Sequence, residues 1–258
     1  MALFRIALFI SLAVFSTSVR AAEPPQGDNW DSIKLLPDWA GAWGDYDWET
    51  GRLRGGEVPN KIPFNAAAQA KVDAYRKLAA AGGDVTYRTQ NCIPGGFAGT
   101  MGGPEAFLEF LFTPGRVTIT SESGLIRRIY TDGRKMPAEP DESFHGYSVG
   151  HWEGGTLVVE TAGLDRNNDL PANIPAGKGL HVAERIFLTD QDMLQIDSVI
   201  EAPATLTAPY RVTKHFLRHR NYTMNEVNCS QNNRDVDKSG RQIFDLTPPD
   251  DLPPPPKE

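Results

Sequence analysis

What this sequence has little of narrows it first. Two cysteines occur in 258 residues, Cys92 and Cys229, so a disulfide-dense scaffold and a thiolate cluster are both excluded. Cys92 stands in Cys-Ile-Pro-Gly-Gly and Cys229 in Asn-Cys-Ser, with no second Cys or His in ligand register. No basic run exists and the formal net charge is −7, which argues against nucleic acid and anionic membrane surfaces as partners. After the first apolar stretch, no segment approaches the ~20 apolar residues of a membrane span. There is no Gly-x-Ser-x-Gly elbow, His-Glu-x-x-His, Gly-Lys-Ser/Thr loop or dinucleotide fingerprint. The five histidines are scattered without close ligand spacing, so neither a metal nor a cofactor is expected.

What is there begins with a leader. Met1–Arg5 carries one positive charge, Ile6–Phe15 is almost wholly apolar, and Val19-Arg20-Ala21 suits signal peptidase. Residues 1–21 therefore read as a signal peptide, with an uncleaved anchor as the alternative. This predicts a periplasmic or secreted protein without a membrane span. In that compartment Cys92 and Cys229 read first as one disulfide, and otherwise as free thiols. Residues 22–246 suffice for a single domain with its own core, and 247–258 form a Pro-rich tail.

Pro37 to Trp48 packs four aromatics into twelve residues, and Gly41-Ala42-Trp43 is similar to the Gly-x-Trp that opens many lipocalin-type barrels. Asn65–Ala81 is the one clear helix, with Asn65 as N-cap and Gly82-Gly83 as its stop. Its apolar stripe is Ala67, Ala70, Val72, Tyr75, Leu78 and Ala79. Glu105–Leu111 fits a short helix or a strand. From Arg116 onward the pattern is β. Strands are expected at Val117–Ser121, Leu125–Thr131, His145–Glu153, Thr156–Thr161, His181–Leu188, Leu194–Glu201, Arg211–Leu217 and Thr223–Cys229. About eight strands with short turns predict an antiparallel, lipocalin-like β-barrel carrying one N-terminal helix. One connection, Gly163–Gly179, is long enough for a lid or rim, or for a disordered surface loop.

The sharpest chemical hint is the hairpin Gly150-His151-Trp152-Glu153-Gly154-Gly155-Thr156-Leu157-Val158-Val159-Glu160-Thr161. Gly154-Gly155 suits a type I′ turn. That register puts His151 opposite Val158 and makes His151 and Glu160 diagonal neighbours on the face of Tyr147. An imidazole beside a carboxylate is an acid/base pair; the competing reading is a solvated pair outside the barrel. His145 shares that face if the strand starts early enough. In the next strand His181 and Arg185 share one face, and Glu184 the other. Arg185 is placed to clamp a ligand oxygen, while Glu184, among apolar neighbours, needs a cation such as Arg127. Asp132-Gly133-Arg134 is a tight turn whose charges fall at a barrel mouth.

Asp132-Gly133-Arg134, Gly146 to Thr161, Leu180-His181, Glu184-Arg185 and Cys229 together resemble a family of exported bacterial proteins abundant in sphingomonads and acidobacteria. Its motif runs DGR, then GSGRWEGDTLVV(D/E)T, ERF and Cys, and the resemblance spans about Cys92 to Cys229. This chain departs from it at His151, where Arg or Lys is usual, and at Gly155, where Asp is usual. His151 is thus not carried over as a family residue. The sphingomonad niche includes small cofactor-free lyases that eliminate water or formaldehyde from lignin-derived aromatic dimers. The resemblance is compatible with such a lyase.

These readings lead to one expectation: a cofactor-independent periplasmic lyase acting on an aromatic or apolar small molecule. His151, Glu160 and His145 would be catalytic, and Tyr147, Arg185, His181, Arg127, Asp132 and Glu184 would bind substrate. The alternative is a non-catalytic lipocalin-like carrier of apolar ligands.

Overall fold

The computed structural model describes residues 26–44, 46–47, 52–53, 61–82, 107–122, 124–170 and 174–225. Nine strands close into a barrel. They are β1 (Ala42–Gly44), β4 (Leu108–Thr113), β5 (Arg116–Ser121), β6 (Ile126–Tyr130), β7 (Tyr147–Glu153), β8 (Thr156–Ala162), β11 (His181–Asp190), β12 (Met193–Glu201) and β13 (Tyr210–His219). Two short ribbons stand apart, β2 (Tyr46–Asp47) with β3 (Arg52–Leu53) and β9 (Asp169–Leu170) with β10 (Ile174–Pro175).

The barrel order is β1-β13-β12-β11-β8-β7-β6-β5-β4, with β1 returning to pair β4 through Trp43 and Leu108. The expected β-barrel is therefore present, but not wholly antiparallel. β6 and β7 run parallel, Ile129 beside Ser148 and Tyr130 beside Val149. The segment 131–146 makes this possible, because parallel neighbours need a crossover longer than a hairpin turn. Nor does closure use the strand expected at Thr223–Cys229. Thr223–Asn225 is not strand, and the rest of that segment lies outside the described residues. β1 and β4 close the barrel instead, each too short or too ambiguous in sequence to stand out.

Alternation sorts the walls. Along β8, Leu157, Val159 and Thr161 are buried while Glu160 is exposed. Along β11, Val182, Glu184 and Ile186 are buried while Arg185 is exposed. One end of the interior is filled by aromatic rings. Trp39 meets Phe110 at 5.1 Å, Trp152 at 5.2 Å and Phe112 at 5.5 Å between centroids, separations suited to edge-to-face attraction. Trp43, inside the Gly-Ala-Trp triplet, is fully buried. Arg218 lies 4.4 Å above its ring and donates to the carbonyls of Asp38, Ala40 and Gln191 at 2.7–2.9 Å. The N-terminal aromatic segment is thereby tied to β13.

The first helix, α1 (Trp30–Ile33), is a single capped turn. The second, α2 (Ala66–Ala80), starts where expected: the Asn65 side chain accepts from Ala68 N at 2.9 Å. Of the expected stripe only Val72 is buried; it packs with Ala68, which lay outside that stripe, and with Ile174 and Phe64, while Leu78 is exposed. The long connection is neither loose nor disordered over its described residues. Leu164, Leu170, Ile174, Ala176 and Leu180 are buried, and Ala176 N donates to Asn168 O at 2.7 Å. Cys92 and Cys229 both lie outside the described residues.

Candidate functional site

The β7–β8 register is the expected one, Glu153 opposite Thr156, Trp152 opposite Leu157, His151 opposite Val158 and Gly150 opposite Val159. The turn differs in type. Gly154 has φ +60 whereas Gly155 does not enter the left-handed region, which is the II′ pattern rather than I′. The more consequential difference is which face turns inward. Ser148, Trp152, Leu157, Val159 and Thr161 are buried, so Tyr147, Val149, His151, Val158 and Glu160 face outward. Valines on the outer face made it look like an interior one.

His151 and Glu160 are consequently exposed on the exterior. The His151 side chain is 63% exposed, and its Nε2 lies 3.3 Å from Glu153 Oε1, not against Glu160. Arg185 joins from β11, Nη1 donating to Glu153 Oε2 at 2.9 Å. The Arg185 hydrogen bond, and then that of His151, holds the Glu153 carboxyl below its ordinary range. This row is a solvated ion-pair chain of the kind that contributes little to stability. His181 is half-exposed beside Glu201 at 3.7 Å. Asp132 is clasped by Arg134 Nε at 2.9 and 3.0 Å, and this contact lowers its pKa. Arg134 also stacks 3.9 Å from the Tyr130 ring and reaches Tyr147 Oη at 3.4 Å. Of the expected binding residues, Tyr147, Arg185, His181 and Asp132 thus lie outside the barrel or at its rim.

Two others meet inside. Arg127 on β6 and Glu184 on β11 form an ion pair between Nη2 and Oε2, with side chains 2% and 0% exposed. Thr161 lies opposite Ser148 on one side and Val182 on the other, so Ser148, Thr161 and Glu184 face the same interior. Arg127 Nε donates to Ser148 Oγ at 3.3 Å and Nη2 to Thr161 Oγ1 at 2.9 Å. The two hydroxyls are themselves 2.8 Å apart. Fork geometry suits Arg to binding three acceptors at once. Charge in a barrel interior survives through such pairing.

His145 lies before β7 rather than on the His151 face, within the electrostatic reach of Arg127. The strand begins only at Tyr147, because Gly146 has φ +63 and breaks the alternation. His145 is half-buried, and its Nδ1 is enclosed with no hydrogen-bond partner among the described residues. Burial, reinforced by the charge of Arg127, pushes its pKa below the ordinary value of 6.5. Its imidazole is therefore neutral at neutral pH. Tyr210 at the start of β13 is 2% exposed. Its Oη also lacks a partner among the described residues, and burial raises its pKa. So does Glu184 Oε1 lack one.

Sequence reasoning missed Ser148, Thr161 and Tyr210. A signal existed for the first two, hydroxyls in register with Trp152, Leu157 and Val159 on an otherwise apolar face. Tyr210 follows Pro209 and fell just outside the expected strand. No group of three or more His, Cys, Asp or Glu positioned for a metal occurs among the described residues. No helix there is long and apolar enough to cross a membrane. No protein-family model matches the chain, and no curated protein matches it.

Proposed function

We propose that this chain is an exported, cofactor-independent lyase that eliminates water or formaldehyde from an aromatic or apolar small molecule. Lignin-derived aromatic compounds are the substrate niche that the motif resemblance suggests. The observation that carries the reading is a half-buried His145 whose Nδ1 is enclosed without a partner among the described residues and whose pKa is lowered by burial and by the charge of the buried Arg127. A neutral imidazole is a competent base at pH 7. In a dehydration His145 takes the proton from carbon, and the carbon–oxygen bond breaks. The same imidazolium then returns the proton to the departing hydroxide, which leaves as water. Arg127 supplies the nearby positive charge that stabilises the oxygen as it becomes anionic, in an interior where such attraction is weakly screened. His151 and Glu160 take no part, being solvated on the outer face.

The test is incubation of the purified mature protein with lignin-type aromatic dimers and hydroxylated apolar compounds, without added cofactor. Products are followed by mass spectrometry. A loss of 18 or 30 mass units that survives His151→Ala but not His145→Ala is the expected result. Turnover that depends on His151 and not on His145 would return the chemistry to the outer face. No turnover, with ligands still raising the melting temperature, would leave a carrier.

A further inference from the structure

The outer wall of the barrel carries a groove of about 650 Å³ across β8, β11, β12 and β13, a volume of the size that holds small ligands. Register explains its floor. Val158 lies opposite Arg185, Arg185 opposite Asp197 and Asp197 opposite Thr213. In the next row on the same face, Ala183 lies opposite Val199 and Val199 opposite Arg211. Val158, Ala183 and Val199 are therefore three short aliphatic side chains, half-buried on the outward face and ringed by longer polar ones. Arg185 and Asp197 are partners in register, yet each is engaged elsewhere. Arg185 Nη1 donates to Glu153 Oε2 at 2.9 Å across β8. Asp197 Oδ1 accepts from Thr213 Oγ1 at 2.6 Å and from Gln195 Nε2 at 2.9 Å. These contacts hold the two charges apart and leave the aliphatic floor open between them.

Arg211 stands exposed in the lining of this groove and enters no ion pair among the described residues. A guanidinium meets a carboxylate with two parallel N–H donors. The three aliphatic side chains offer an apolar ligand body a surface on which to leave water. Asp197 presents a negative charge to the same space and repels a second anion. We propose that this groove binds a small monocarboxylic acid with an apolar body, its carboxylate on Arg211 and its body on Val158, Ala183 and Val199. Arg185, which the sequence suggested as a clamp for a ligand oxygen, is a wall of the groove instead, because Glu153 already holds it. The site lies on the outer wall, apart from the interior proposed for the lyase, and does not rest on that reading.

The measurement is an NMR titration of the isotope-labelled mature chain with 4-methoxybenzoate and with 4-methoxybenzamide, probes of similar shape that differ in charge. At low ionic strength the acid should bind about three- to fivefold more tightly, the upper part of what an exposed ion pair contributes. Added salt should shrink that difference. Amide shifts should gather at Ala183, Val199 and Arg211. Arg211→Gln should erase the preference, whereas Arg128→Gln, at an exposed arginine on β6 outside the groove, should retain it. Both changes are at exposed side chains and leave the core untouched. Terephthalate, with its second carboxylate, should bind more weakly than 4-methoxybenzoate. No binding of the acid, equal affinities for acid and amide, shifts gathered on other strands, or a preference that survives Arg211→Gln would each overturn the inference. Tighter binding of terephthalate would overturn the assignment to monoacids. An acid preference without any turnover would sink the lyase and leave this site standing.

Discussion

Removing one member of the buried pair should cost far more than removing both. In Arg127→Met the Glu184 side chain, fully buried, loses the only cation that meets its Oε2 among the described ion pairs. Breaking a buried pair this way costs about 3–5 kcal/mol. At roughly 2–4 °C per kcal/mol for a domain of this size, the melting temperature should fall by ~6–20 °C. The double variant Arg127→Met/Glu184→Leu removes both charges and leaves Ser148 Oγ and Thr161 Oγ1 bonded to each other at 2.8 Å. Among the described ion pairs no orphan charge then remains, and apolar replacement of buried pairs is often neutral or better. The double variant should therefore lie within ~2 kcal/mol of wild type, giving a coupling energy of at least ~2 kcal/mol across the cycle. Urea unfolding followed by tryptophan fluorescence measures this, since Trp39, Trp43 and Trp152 are buried reporters. A single substitution costing under ~1 kcal/mol would refute the argument. So would a double variant as damaged as the two single changes combined.

Three further outcomes follow from the same geometry. His145 has a folded pKa below 6.5, so the unfolded chain binds more protons between the two values and stability rises with pH across that window; His145→Gln should flatten the slope in urea midpoints measured below pH 6.5. Gly146→Ala would set a Cβ 2.6 Å from the Ala162 carbonyl oxygen and 2.9 Å from Leu164 Cγ at φ +63, costing more than ~1 kcal/mol, and an unchanged unfolding midpoint would dismiss that clash. Tyr210→Phe removes an unmet buried hydroxyl and should raise stability by ~1 kcal/mol in the same assay, whereas a loss of that size would reveal a partner for Oη.

The local features of the fold were legible because they need only neighbours in the chain. The Asn65 cap, the two-residue turn at Gly154-Gly155 and the pairing of His151 with Val158 come from short-range geometry. So did part of the site: Glu184, flanked in alternation by Val182, Ile186 and Leu188, demanded a cation, and Arg127 supplies it. What sequence reading could not choose was the inward face of β7. Period-two alternation distinguishes two faces but does not say which one meets the core. Val149 and Val158 made the outer face look apolar, and Ser148, Gly150 and Thr161 made the inner one look polar. The choice was made by distant parts of the chain, with Trp152 packing on Trp39 and Ser148 and Thr161 receiving hydrogen bonds from Arg127.

Composition and periodicity by themselves determined a β-rich chain, the helix that follows Asn65 and the hairpin register, since each follows from backbone preferences within a few residues. Tertiary structure alone decided that nine strands close with one parallel pair, that β1 and β4 complete the ring, and that His151 and Glu160 face solvent while Arg127, Glu184 and Tyr210 are turned towards the interior. Those outcomes depend on which surfaces lose water together, and that is settled only when residues far apart in sequence meet.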